Sequence, residues 1–294
     1  MEQGRIIRSL SGFYDVDNGQ EIVRCRAKGS FRQKKITPLV GDEVRFVPQG
    51  RIEEILPRRN RLIRPPVSNV DQAVIVFAAV YPEPHPMLLE HFLVMVHQQG
   101  IRPVICLNKW DQVQDQEGAV ATSLAENYRK AGFCVLCTST RTGEGIEKLK
   151  AELAGKVSVL AGPSGVGKSS LLNALIPGLS LETGSLSEKI QRGKNTTRCA
   201  QLLRLEDEVG FVADTAGFTS LRLTDVTPQT LADAYPEFAP YREECYFPGC
   251  SHISEPECGV RRAVETGLIV RERYEGYRAL WQELKAEEQQ ETTK

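Results

Sequence analysis

The stretch Val157 to Leu172, VSVLAGPSGVGKSSLL, leaves this chain little freedom in what it can fold into. Val157, Val159 and Leu160 supply a buried strand, and Leu171, Leu172 and Leu175 recur at helical spacing, so the residues between them must turn a strand tightly into a helix. Gly162, Pro163, Ser164, Gly165, Val166, Gly167, Lys168, Ser169 and Ser170 make that turn, in the pattern G-x-x-x-x-G-K-S/T. Its glycines let backbone N–H groups wrap a phosphate chain, Lys168 meets the outer phosphates, and the Ser169 hydroxyl reaches magnesium. A helix N-terminus favours the same anion. The expected ligand is a nucleoside triphosphate with Mg2+.

Upstream, Asn108-Lys109-Trp110-Asp111 follows the apolar run Val104 to Leu107 and resembles the guanine-reading loop of GTPases. Its aspartate accepts from the ring N–H and exocyclic amine that adenine does not offer. Ser139-Thr140, after the strand Phe133 to Cys137, resembles the next guanine-contacting element. Downstream, Asp214-Thr215-Ala216-Gly217 matches D-x-x-G: the aspartate holds magnesium through water and the glycine senses the terminal phosphate. Either Thr196 or Thr197 can serve as the threonine of the first switch. All five elements are present, but rotated, with both guanine loops ahead of the phosphate loop. That order resembles the circularly permuted GTPases.

The flanking pattern predicts an α/β fold. Strands at Gln72–Val80, Arg102–Leu107, Phe133–Cys137 and Val157–Leu160 alternate with helices at Pro86–Gln99, Gln116–Ala131 and Gly145–Leu153. Buried strands interleaved with helices imply a parallel sheet covered on both faces, with its site at the strand carboxyl ends. Asn108, Ser139, Gly162 and Asp214 all fall at such ends.

Residues 1–66 read differently, as five short strands broken by turn signals such as Asp17-Asn18-Gly19 and Gly41-Asp42, which suggests a small closed barrel of OB type. They hold fourteen Lys and Arg against eight Asp and Glu, a net of +6 hidden within a whole-chain charge of −1. Arg24, Arg26, Lys28, Arg32, Lys34 and Lys35 would present a cationic face to an RNA backbone, with Phe31 stacking on a base. Arg64 to Asn69, with two prolines, marks the end of this domain.

No run approaches the roughly 18 apolar residues of a membrane span, and Met1 to Leu10 is charged, so a cytoplasmic protein with no membrane contact is expected. Reduced cysteines follow from that compartment. Cys245-x4-Cys250-x-His252-x5-Cys258 offers four soft ligands for one closed, structural Zn2+ site in a segment with little core of its own. Cys134 and Cys137, three apart in a strand, point to opposite faces and do not chelate one ion. From Gly259 to Gln290 a helical reading prevails, with Val264, Leu268, Tyr274, Tyr277, Leu280, Trp281 and Leu284 as its apolar face. The tail Glu287 to Lys294 is expected to fray, and Arg261, Arg262, Arg271 and Arg273 either add RNA contacts or form a solvated helix face.

An OB domain (1–66), a circularly permuted P-loop GTPase domain (67–226) and a zinc-binding helical module (227–294) resemble, over essentially the whole chain, the bacterial small ribosomal subunit biogenesis GTPase (RsgA) family. The resemblance implies a ribosome-dependent GTPase that binds the 30S subunit and 16S rRNA late in assembly, alongside other assembly factors, with GTP and GDP as ligands. It assigns catalysis to Lys168, Ser169, Asp214 and Gly217. Phe218 stands where Ras-like proteins place a water-orienting glutamine, and Gly217 to Thr230 holds no histidine, so slow intrinsic turnover is expected. A monomer is the default. A P-loop enzyme acting on a small molecule, or an RNA-binding scaffold with a nearly silent GTPase, are the rival readings.

Overall fold

The computed structural model describes residues 1–63, 66–114, 117–179, 201–205, 210–214, 223 and 226–292. Five strands form the N-terminal unit: β1 (Glu2–Leu10), β2 (Phe13–Asp17), β3 (Ile22–Ala27), β4 (Glu43–Val47) and β5 (Arg51–Ile55). Alternate residues turn inward, so Tyr14, Val16, Val44, Phe46 and Ile52 are buried, while their strand neighbours other than Asp17 are more exposed. The strand order β2-β3-β5-β4-β1 closes through β1–β2, giving an OB-like barrel without a free edge of its own. Between β3 and β4 the basic loop contains a short helix, α1 (Gly29–Gln33). Phe31, expected to stack on RNA, is instead buried in the barrel core, because one turn of helix rotates its ring inward and leaves Arg32, Lys34 and Lys35 outside.

A buried polar hub fixes the barrel to the chain that leaves it. Asp42, fully buried, accepts from Leu39 N at 2.8 Å, Ser68 Oγ at 2.6 Å, and Arg58 Nε and Nη2 at 2.6 and 2.7 Å. Gly41, at φ +91°, passes so near Ser68 that a Cβ would lie 2.1 Å from its carbonyl oxygen. Chain from both units therefore meets at one carboxylate.

Beyond the joint lies a sheet in the order β10-β11-β9-β6-β7-β8, formed by β6 (Gln72–Ala78), β7 (Arg102–Asn108), β8 (Cys134–Cys137), β9 (Val157–Ala161), β10 (Gln201–Arg204) and β11 (Phe211–Asp214). Every pairing is parallel except β10–β11. β6, QAVIVFA, is buried at every residue because helices cover both faces: α2 (Pro86–Gln98) and α3 (Ala119–Lys130) on one, α4 (Ile146–Leu153) and α5 (Lys168–Leu175) on the other. Cys134 turns toward Glu152 of α4 and Cys137 toward Arg129 of α3, so this pair does face apart.

Two features are absent from the sequence expectation. First, β1 pairs with β10 through Arg8 and Gln201, so barrel and sheet form one eleven-stranded system. Arg204 reaches Asp17 at 3.5 Å, and the Arg5 guanidinium lies 5.4 Å from the centre of the Phe211 ring, across the same seam. Second, the C-terminal segment is two helices, Gly259–Glu265 and Arg271–Thr292, separated at Gly267 with φ +75°. Leu268, placed in the break, is exposed, whereas Tyr274, Tyr277, Leu280 and Leu284 are buried as expected. The second helix runs on through Thr292, where a frayed tail was expected.

That long helix docks on α2 and α3. Arg273, expected to contact RNA, is 1% exposed and its guanidinium bonds Glu90 of α2, itself 1% exposed, and Glu237 at 2.7 Å. Glu90 also accepts from the hydroxyls of Tyr128 on α3 and Tyr235. The same guanidinium lies 4.4 Å from the Tyr235 ring centre and 4.9 Å from that of Phe133. A buried charge needs this degree of compensation.

Candidate active site and metal centre

The loop after β9 adopts the conformation its glycines permit: Gly162, Gly165 and Gly167 have φ of +130°, +79° and +95°. Gly162 is also packed against β6, since a Cβ there would lie 2.1 Å from Val76 O. Val166 is buried and Ser164 exposed at the tip, while Ser169 and Ser170 are half-buried in the first turn of α5. Lys168 Nζ donates to the carbonyls of Gly162 at 2.8 Å and Pro163 at 2.6 Å. Burial lowers the pKa of its ammonium below the ordinary lysine value.

The loop after β7 is tied to this one. Asn108, fully buried, donates from Nδ2 to Val166 O at 2.9 Å and accepts from Thr138 Oγ1 at 3.2 Å. Gly167 must be glycine here too, because a Cβ would meet Asn108 Nδ2 at 2.3 Å. Lys109, held at φ +61°, sends Nζ to Gly165 O at 2.7 Å and Tyr81 O at 2.6 Å. The base-side loop and the phosphate-side loop are thus locked to each other before any ligand is considered.

Asp111 stands at the open end of that assembly. Its Oδ1 accepts from the Ser139 hydroxyl, which also accepts from the N–H groups of Arg141 and Thr142 at 3.2 and 3.1 Å. Its Oδ2 lies 2.8 Å from Arg141 Nε but is a buried acceptor with no hydrogen-bond partner of good geometry. The Ser139 bond first, against desolvation, and then the Arg141 charge hold this carboxyl below the usual aspartate range. An ionised carboxylate whose Oδ2 is held only by the ion pair with the exposed Arg141 fits a ligand edge with two adjacent N–H donors, which guanine has and adenine lacks. Trp110 is half-buried beneath, with its backbone N–H on Thr138 O at 3.0 Å, and Thr140 is half-buried beside Ser139. Arg141 and Thr138 were not singled out in the sequence; their adjacency to Ser139 was the available signal.

Of Asp214 only the backbone position is described, at the carboxyl end of β11 and in register with Gln201. Gly217, Thr196 and Thr197 lie outside the described residues.

The second site lies in the C-terminal segment. One donor atom from each of Cys245, Cys250, His252 and Cys258 falls within 4.8 Å of the others. His252 Nδ1 is 3.6 Å from Cys245 Sγ and 3.4 Å from Cys258 Sγ, and those two sulfurs are 3.9 Å apart. A tetrahedral ion with metal–sulfur bonds of about 2.3 Å and metal–nitrogen bonds of about 2.0 Å requires sulfur–sulfur and sulfur–nitrogen separations of about 3.8 Å and about 3.5 Å. The donor set fits. Burial pushes the Cys250 thiol up to about 12 and lowers the His252 pKa, so neutral imidazole is ready to ligate while the Cys250 thiolate persists only against a cation. Tyr274 and Tyr277 donate to the carbonyls of His252 and Ser251 at 2.7 and 2.6 Å, tying this loop to the helix that carries Arg273.

Comparison with known proteins gives a consistent set of relatives. Residues 55–224 match the family model described as RsgA GTPase, and residues 3–53 that described as RsgA N-terminal domain. The chain is 48% identical to the small ribosomal subunit biogenesis GTPase RsgA of Geobacillus sp. (strain WCH70), over 97% of this chain and 98% of that protein. It is 44% identical to the protein of the same description from Alkaliphilus metalliredigens, again over 97% and 98%. Among solved structures, YjeQ from Thermotoga maritima superposes with a TM-score of 0.85 at 38% identity, covering 96% of this chain and 98% of that one. YloQ, described as a circularly permuted GTPase, superposes with a TM-score of 0.81 at 38% identity, over 98% and 96%.

Proposed function

The chain belongs to the RsgA family of GTP-hydrolysing enzymes, and from that premise we propose that it docks on the 30S ribosomal subunit in the cytoplasm. There it binds 16S rRNA late in maturation, acts as a monomer, and hydrolyses GTP to GDP and phosphate at a rate the subunit raises. The observation that carries the nucleotide assignment is the ionised Asp111 carboxylate at the end of a loop bonded directly to the phosphate loop through Asn108 and Lys109.

The residues divide the work by position. Asn108, Lys109, Trp110, Asp111, Ser139 and Thr140 read and frame the guanine. Gly162 to Ser170 wrap the phosphates with backbone N–H groups, and on phosphate binding the Lys168 ammonium exchanges its loop carbonyls for outer phosphate oxygens. Ser169 and Asp214 would hold magnesium, which would supply charge neutralisation for the phosphates. Gly217 senses the terminal phosphate and Thr196 or Thr197 closes the first switch. Phosphoryl transfer to water needs a positioned nucleophile more than covalent chemistry, and Phe218 cannot orient water by hydrogen bonding. The free protein therefore turns over slowly until the subunit orders the switches.

Zn2+ is the ion the Cys245–Cys250–His252–Cys258 set fits, in a structural role. The exposed Arg32, Lys34 and Lys35 of the barrel supply the RNA-facing charge. The boundaries 1–66, 67–226 and 227–294 separate barrel, permuted domain and zinc module.

The experiment is GTP hydrolysis by the purified protein alone, with 30S subunits and with 50S subunits at matched magnesium and salt. Stimulation by 30S alone supports the reading. Fast turnover without subunits, or equal stimulation by both, refutes it.

A further inference from the structure

Tyr246 and Phe247 are 72% and 41% exposed, although they sit between two residues of the Cys3His set. Their rings are 5.0 Å apart, edge to face at 81°. The backbone beneath them is fixed: Tyr246 N donates to Glu257 O and Cys250 N to Phe247 O, both at 3.2 Å. Large exposed aromatic groups on a fixed backbone are what an association surface needs, since little backbone entropy remains to be lost on docking.

The surrounding charge selects the partner. Residues 243–260, which carry the pair, hold four Glu and no Lys or Arg, the opposite sign to the barrel. The arginines near the loop are committed: Arg242 to Asp233 at 2.6 Å, Arg262 to Glu244 at 3.2 Å, and Arg261 to the Glu255 carbonyl at 3.0 Å. Glu243 and Glu257 are exposed, with no ion pair among the described residues. Such a surface repels a phosphate backbone and attracts a cationic one.

We propose that the Tyr246–Phe247 pair is a docking knob for a basic protein, a protein component of the small subunit rather than its RNA, seating both rings in an apolar recess rimmed by Lys or Arg. The barrel faces nucleic acid and the zinc module faces protein, so one chain spans two chemistries on the particle. This inference rests on the proposed docking to the 30S subunit.

The test places p-benzoylphenylalanine at position 246, and in a second sample at position 34 on the barrel, in the full zinc-loaded chain. Each is bound to purified 30S subunits with a non-hydrolysable GTP analogue and irradiated. At position 246 the expected adduct is a protein and survives ribonuclease; an RNA adduct there, or none while position 34 crosslinks, overturns the inference. In parallel, Tyr246→Ala with Phe247→Ala keeps its zinc and basal GTPase, loses about tenfold or more in 30S affinity, and leaves the slope of log K against log salt unchanged, because no phosphate contact is removed. Unchanged affinity overturns the proposal. Failure of the unmodified chain to co-sediment with 30S overturns both this inference and the 30S docking beneath it.

Discussion

Replacing Arg273 by Met should release the C-terminal helix from the body of the protein. Glu90 and Arg273 are both 1% exposed, and the substitution leaves the Glu90 carboxylate buried with two tyrosine hydroxyls but no counter-charge. It also strips Glu237 of its 2.7 Å partner and removes a guanidinium packed on Tyr235 and Phe133. Breaking a buried pair from one side costs about 3–5 kcal/mol. If the module opens locally, its opening equilibrium rises by roughly two to nearly four orders of magnitude at about 1.4 kcal/mol per decade. Hydrogen exchange read by mass spectrometry should show that loss of protection across 271–292 and the zinc loop, while β6, β7 and β9 keep theirs. Glu90→Gln in the same chain should recover part of the loss, since no unpaired carboxylate then remains at that position. A change below about 1 kcal/mol, or loss spread evenly over the whole chain, would refute the view that this pair is what holds the module in place.

Asp111→Asn should reverse base preference, because an amide can donate to the xanthine C2 carbonyl but no longer accepts two guanine N–H groups; fluorescent GDP should bind about 100-fold or more weakly, and xanthosine diphosphate should compete better than GDP. Arg141→Ala should tighten GDP binding and slow its release, as the guanidinium 2.8 Å from Asp111 Oδ2 offsets the charge that guanine uses; weaker binding would show that Arg141 supports the base instead. Lys168, with its pKa lowered by burial, binds phosphate as ammonium, so nucleotide affinity is intact below that lowered pKa and falls as pH rises through it, ahead of an ordinary lysine. A titration of affinity to alkaline pH that stays flat up to the normal lysine range would contradict this. Chelation should release one zinc per chain and raise exchange across 245–258, with GDP affinity retained because the two sites share no residue.

What could be read from the sequence was what depends on consecutive residues. Gly162, Gly165 and Gly167 mark a backbone that needs positive φ, and the four clustered Cys and His donors lie within fourteen residues, so local spacing carries the information. Phe31 misled because a single helical turn, too short to announce itself by periodicity, decides whether its ring faces water or the barrel core. Arg273 misled for a different reason. An arginine on a helix looks solvated until its partner, Glu90, is known, and the two are 183 positions apart. The break before Arg271 went unseen because the apolar pattern continues across Gly267, where only a φ of +75° ends the first helix.

The Arg8–Gln201 pairing bears on how this protein can be divided. A strand whose hydrogen-bonding side is bared invites another chain to occupy it. Excising residues 1–66 would leave β10 in that state, so the remaining fragment would tend toward self-association even with its own core intact. The barrel serves as the terminating cap of the sheet whatever else it binds, which gives this chain a reason to keep both units that is independent of RNA.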